Sequence, residues 1–142
     1  MLMTDHGLVA LTAGDLPSGV PIPPVPPVAS TVQAANIGST TLLAVPSNGF
    51  YRINISIKRT QIATTSSTLP LVTVMWTEGD NSASGSNTPI ATNATNTLAA
   101  AVGASILIYA KAGTNIQYLT SGYVSSGATP MQYALRIQCE AL

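Results

Sequence analysis

The chain has 142 residues, 46% of them hydrophobic but only 7% charged, against about 25% charged in an ordinary soluble domain. Five acids balance five bases, which excludes nucleic acid attraction as a default activity and argues against a basic membrane-surface patch. Disorder is excluded too, because disordered chains are low in hydrophobicity and high in charge.

The length suits one domain with a sizeable core plus an appendage. The opening MLMTDHGLVALTAG has no basic n-region and contains Asp5 and His6, so it is not expected to act as a secretory signal. No run of about 18 apolar residues occurs, so no membrane-spanning helix is expected.

Residues 16–28, LPSGVPIPPVPPV, hold six of the ten prolines. Proline fixes φ and lacks an amide donor, so this stretch must be extended and cannot join a helix or a central strand. Solvated linkers are polar, whereas here Leu16, Ile22, Val25 and Val28 alternate with Pro17, Pro23, Pro24, Pro26 and Pro27. These nine residues are expected to form an assembly arm lying along a neighbouring subunit; a semi-rigid spacer or an SH3-type ligand is the alternative. The boundaries expected are an extended arm at 1–29 and a β domain at 30–142.

From residue 30 the pattern is that of strands. In FYRINISIKR (50–59), Tyr51, Ile53, Ile55 and Ile57 alternate with Arg52, Asn54, Ser56 and Lys58, a period of two with one buried and one wet face. In MQYALRIQCEAL (131–142), Met131, Tyr133, Leu135, Ile137 and Cys139 are expected inward; Gln132, Arg136, Gln138 and Glu140 are expected outward. The runs LPLVTVMW (69–76) and SILIYA (105–110) are apolar on both faces. A strand apolar on both faces needs cover on its second face, so Val72, Val74, Trp76, Leu107 and Tyr109 are the candidate subunit-packing residues.

Weaker strands are expected at 31–37, 40–45, 88–98 and 115–120. They are separated by the turn signals IGST, PSNG, EGDNSASGSN, KAGT and SSGATP. TNATNTLAAAVG (92–103) allows a short helical turn. About eight short strands with Gly-, Asn- and Ser-rich turns imply an all-β, antiparallel β-sandwich or jelly roll.

Residues that could carry chemistry are few. His6, the sole histidine, lies ahead of the proline stretch, with nothing to fold it back into a Ser–His–acid arrangement. Cys139, the sole cysteine, keeps register with Ile137 and Leu135 and reads as a buried small hydrophobe rather than a nucleophile. Glu78 and Asp80 offer two carboxylates for calcium, but their spacing is not that of an EF-hand. Lys58 and Arg59 end a strand without further basic neighbours. The reading is therefore non-enzymatic, with no catalytic, cofactor or metal site. Most aromatic residues are expected in the core, with Tyr123 in SGYVSSG the candidate exposed rim residue.

The order GFYRINISI (49–57), IYAKAGTNIQYLTSGY (108–123) and MQYALRIQCEAL resembles the small jelly-roll structural proteins of tailed-bacteriophage virions, of the capsid-decoration or fibre-knob type. It is more loosely similar to tumour necrosis factor-like and complement-type globular heads. LTAGDLPSG (11–19) also looks like the connectors that precede tip domains in phage fibres. The resemblance implies a homotrimer attached by its N-terminal arm to other virion proteins, capsid or fibre and tail, after assembly in a bacterial cytoplasm. Loops 61–68, 78–88 and 121–130 would then face outward. The alternative it implies is a tip module that binds a receptor or host-surface glycan. No cofactor, nucleic acid or membrane partner is expected.

Overall fold

The computed structural model describes residues 28–142, and before them only two short paired strands, β1 (Met3–Thr4) and β2 (Gly7–Leu8). The arm residues Leu16, Pro17, Ile22, Pro23, Pro24, Val25, Pro26 and Pro27 lie outside the described residues. Val28 is not part of the arm: it opens β3 (Val28–Gln33) and pairs with Ile137. It follows the last proline of the stretch, so the amide donor a ladder needs is restored at that position.

The strands that follow are β4 (Thr40–Ala44), β5 (Gly49–Gln61), β6 (Ser66–Thr68), β7 (Leu71–Thr77), β8 (Ser84–Ile90), β9 (Val102–Ala110), β10 (Asn115–Ser121), β11 (Val124–Ser126) and β12 (Gln132–Ala141). Two antiparallel four-stranded sheets, β3-β12-β5-β9 and β4-β10-β7-β8, face each other. Each draws strands from both halves of the chain, which is the interlocked Greek-key order of a jelly roll. No helix occurs among the described residues; the stretch expected to hold a helical turn is irregular from Ala91 to Ala101 and then enters β9.

The period-two strands β5 and β12 are the centre of one sheet, in register from Tyr51↔Ala141 to Arg59↔Tyr133, with a shift before Gln61↔Gln132. Tyr51, Ile53, Ile55 and Ile57 meet Met131, Tyr133, Leu135, Ile137 and Cys139 in one buried cluster with Ile116, Tyr118, Val72 and Val74 of the facing sheet. Val72 and Val74 are thus fully covered inside their own chain, which corrects their assignment to a subunit contact. The outer face of β7 carries Leu71, Thr73, Met75 and Thr77, and two hydroxyls in four positions make it less apolar than the run LPLVTVMW suggests.

The boundaries of several loops also change. EGDNSASGSN is not one long turn: residues 84–90 form β8, whose edge position demands little side-chain packing. The loops expected at 61–68 and 121–130 contain β6 and β11, which pair with each other as a separate two-stranded ribbon.

Where β3 meets β12, the register shifts between Tyr133 and Leu135, and Val32 takes a φ of 61° within the bulge. A β-branched residue is disfavoured there because its Cβ crowds the following carbonyl. Val32→Asn is therefore expected to stabilise the fold by about 1 kcal/mol, measured as a higher urea midpoint at unchanged slope.

Burial, with a lesser contribution from the Glu140 carboxylate, pushes the Cys139 thiol up to about 11 from an ordinary value of 9.0. Above pH 9 the unfolded chain releases this proton while the folded chain retains it, so stability falls as pH rises from about 9 to about 11. The expected loss is on the order of 2 kcal/mol, and Cys139→Ala should abolish that part of the pH dependence in chemical denaturation.

Candidate functional site

The two ends of the sandwich differ. Connections 34–39, 62–70, 91–101 and 122–131 all cross between the sheets at one end, while 45–48, 78–83 and 111–114 lie at the other. β3 runs toward the four long connections, since Val28 pairs with Ile137 and Gln33 with Tyr133. Its N-terminal end therefore faces the end with the short turns.

The long connections are bound to one another through Arg59. This residue falls on the inward parity of β5, one step past the wet-face Lys58, and is only 6% exposed. Its Nη2 donates to Asn93 O at 2.7 Å and its Nη1 to Thr97 O at 3.3 Å; Nε lies 3.1 Å from Ser67 Oγ and 3.2 Å from Met131 Sδ. Burial lowers the guanidinium's pKa from its ordinary value. Among the described residues no carboxylate faces it, so carbonyl and hydroxyl oxygens and the thioether sulfur provide its solvation.

Asn96 extends the network. Its Oδ1 accepts from Ala63 N and from Ser67 Oγ, and its Nδ2 donates to Ala63 O. Connection 34–39 is held by a relay: Ile37 N donates to Thr120 Oγ1, Thr120 bonds Tyr133 Oη, and Tyr133 Oη donates to Ala35 O. The surface of this end is made mainly of Thr, Ser, Gly, Ala and Asn, with Ile62, Leu98 and Val124 exposed among them. Tyr123 is not the exposed rim residue expected: its hydroxyl donates to Met131 O at 2.8 Å and its ring lies 6.2 Å from that of Tyr133.

A second surface lies on the outer face of the β5–β9 pair. Phe50 and Tyr109 are cross-strand partners with ring centroids 5.0 Å apart, edge to face. Tyr109 also packs on Gly79, where a Cβ would collide with its ring. Phe50 is 53% and Leu107 59% exposed, and Arg52 beside them forms an ion pair with Glu140 at 3.1 Å. Of the five candidate subunit-packing residues, only Leu107 and Tyr109 share this open face. Trp76 is half-buried inside the chain, its ring against Gly85 and its Nε1 donating to Glu78 Oε1 at 2.7 Å.

A third feature is a groove of ≈ 340 Å³ on the outer face of the other sheet, lined in part by Met75, Thr77, Ser84, Ser86, Asn115 and Gln117. Among the described residues no three of His, Cys, Asp and Glu come together. The Glu78 carboxylate is engaged by Trp76, while Asp80 is exposed on the turn.

From sequence, Lys58 and Arg59 read only as the end of a strand without further basic neighbours, with no role for Arg59. Its odd position in FYRINISIKR, on the isoleucine parity, was the available signal. Arg59→Ala should destabilise the fold by about 3 kcal/mol, because the buried side chain leaves a cavity, Thr97 O and Ser67 Oγ lose its N–H groups, and Asn93 O keeps only the Leu69 amide. Hydrogen exchange should then accelerate selectively at 63–69 and 93–97 relative to β12.

No family model matches the chain, and no curated protein matches it. Among solved structures, it is similar to the CBM22-1 xylan-binding domain from Paenibacillus barcinonensis Xyn10C. That match has a TM-score of 0.41 and 18% identity, and covers 81% of this chain and 70% of the other.

Proposed function

We propose that the chain is a non-enzymatic structural head of a bacteriophage virion, a homotrimeric decoration protein or fibre knob mounted through its N-terminal arm. The observation that carries this reading is the polarity of the sandwich. β3 begins facing the short-turn end, and the opposite end is a platform of four connections stitched together through Arg59, Asn96 and Tyr133. An anchored base and a rigid distal surface are what a presenting head requires.

Two further observations support it. Phe50, Leu107 and Tyr109 leave an apolar corner on the outer face of β5 and β9, suited to contact with another chain. The platform is composed of hydroxyls, small residues, the exposed amides of Asn36 and Asn93 and isolated aliphatics, without an exposed aromatic among the described residues. That composition favours a structural surface over a sugar-stacking rim.

Light scattering on a sizing column tests the assembly. The intact chain is expected at three times its monomer mass, and Phe50→Asp with Leu107→Asp at one, with circular dichroism unchanged because both side chains are exposed. An intact chain that runs as a monomer would refute the trimer. Retention of the trimer by the double variant would move the contact away from this corner.

A further inference from the structure

The groove on the outer face of β7 gathers polar side chains that no neighbouring group engages. On other parts of the surface several small polar side chains bond to one another. Thr73 Oγ1 meets Thr88 Oγ1 at 2.9 Å, Ser66 meets Ser126 at 2.7 Å, and Ser105 donates to Asn54 at 2.9 Å. In the groove, the side chains of Thr77, Ser84, Ser86, Asn115 and Gln117 make no hydrogen bond within the described residues. Five side chains with free donors and acceptors therefore converge on one concavity.

Their arrangement follows from the register. Met75 pairs with Gln117 on one side and Ser86 on the other, and Thr77 pairs with Ser84. Asn115 stands two residues from Gln117 on the same face of β10. The half-buried Met75 is thus an apolar floor between two polar walls, and the walls, two strand spacings apart, stand about 10 Å from each other. No charged side chain lines the groove. Its volume is at the small end of the range of about 300–1,000 Å³ typical of ligand sites.

We infer that this groove binds a neutral saccharide. Hydroxyl-rich ligands match amide and hydroxyl walls, because each sugar hydroxyl both donates and accepts, as do the serine, threonine and amide groups facing it. The C–H face of a pyranose matches a methionine floor, whose thioether is apolar and adapts its shape. An anionic ligand would lack a counter-charge, and a purely apolar one would leave five polar groups desolvated without partners. Sugar recognition is thereby located on the flank of the sandwich rather than on the distal platform, and it requires no partner chain.

Nuclear magnetic resonance titration of the intact chain with cellohexaose, maltohexaose, mannohexaose and tetra-N-acetylchitotetraose tests the inference. At least one should shift the amides of 75–77, 84–86 and 115–117 in a saturable manner. Asn115→Ala and Gln117→Ala should each weaken that binding about three- to tenfold. Ser86→Tyr, an exposed position on an edge strand, should fill the groove and abolish binding, while Thr88→Ala outside the groove should leave it unchanged. Absence of shifts at these amides with all four sugars overturns the inference, as does binding that survives Ser86→Tyr. Because the readout needs neither trimer nor arm, its failure is distinguishable from failure of the assembly reading.

Discussion

The end of this jelly roll that carries the four long connections depends on a buried cation with no facing carboxylate among the described residues. Arg59 enters the core side of β5, and its guanidinium is solvated by carbonyls of Asn93 and Thr97, the Ser67 hydroxyl and the Met131 sulfur. Lysine would be a poor substitute, since a point charge with three donors cannot match the fork geometry that reaches several acceptors at once. The consequence lies in connection 91–101, where residues without helix or strand have their carbonyls fixed by a side chain from the opposite sheet. Asn96 then returns the favour to connection 62–70 through Ala63 and Ser67. A loop of alanine, threonine and asparagine would otherwise hold its shape poorly, because it has little apolar surface to bury.

Scarcity of charge sets the rest of the character of the molecule. Among the described residues the one ion pair is Arg52–Glu140, on the outer face, and exposed pairs contribute about 0–1 kcal/mol. Specific geometry therefore rests on hydroxyl and amide bonds: the Thr120–Tyr133 relay, the Ser66–Ser126 contact and the Thr129 amide bonded to Thr64 Oγ1. Such bonds are screened little by salt, unlike charge pairs. Apolar burial in the Ile53, Ile57, Leu135 and Ile137 layer supplies the driving force, and these polar bonds select the arrangement of the ends.

What could be read from sequence follows the strength of the period-two signal. β5 and β12 were legible residue by residue, because one face of each is buried and the other wet, so a slip of one position would invert both. The jelly-roll class followed from the number and spacing of strands and turns. β8 was not legible: SGSNTPI lies at a sheet edge, where strand formation comes from pairing with β7 and not from side chains that prefer a strand. The apolar runs misled in a different way. Val72 and Val74 look like surplus hydrophobic surface until the second sheet is in place to cover them, whereas Leu107 on edge strand β9 is surplus in fact. Arg59 was visible by parity but contradicted by its charge, and only the carbonyls brought in from residues 93 and 97 resolve the conflict. The groove gave no signal, since Ser84 and Ser86 read as part of a loop, and Asn115 and Gln117 as the wet face of an expected strand.

The two outer faces of the sandwich have opposite chemistry, and this difference follows from which strands are central. In the sheet centred on β5 and β12, the long alternating strands place Phe50, Arg52 and Glu140 in a row beside Leu107 and Tyr109, a mixture suited to a protein surface. In the sheet centred on β7 and β10, the outer positions are almost wholly uncharged: Thr73, Met75, Thr77, Gln117 and Leu119. With so few charges, long-range steering contributes little to either face. Discrimination between ligands must come from direction and shape, through hydrogen bonds that a wrong partner would leave unmade. A flank of amides and hydroxyls on a sheet meets that condition better than a loop would, because the backbone ladder fixes the spacing of the side-chain origins and leaves only rotamers to be ordered on binding. The assembly proposed for the apolar corner and the ligand recognition proposed for the polar flank would therefore use separate surfaces, neither constraining the other.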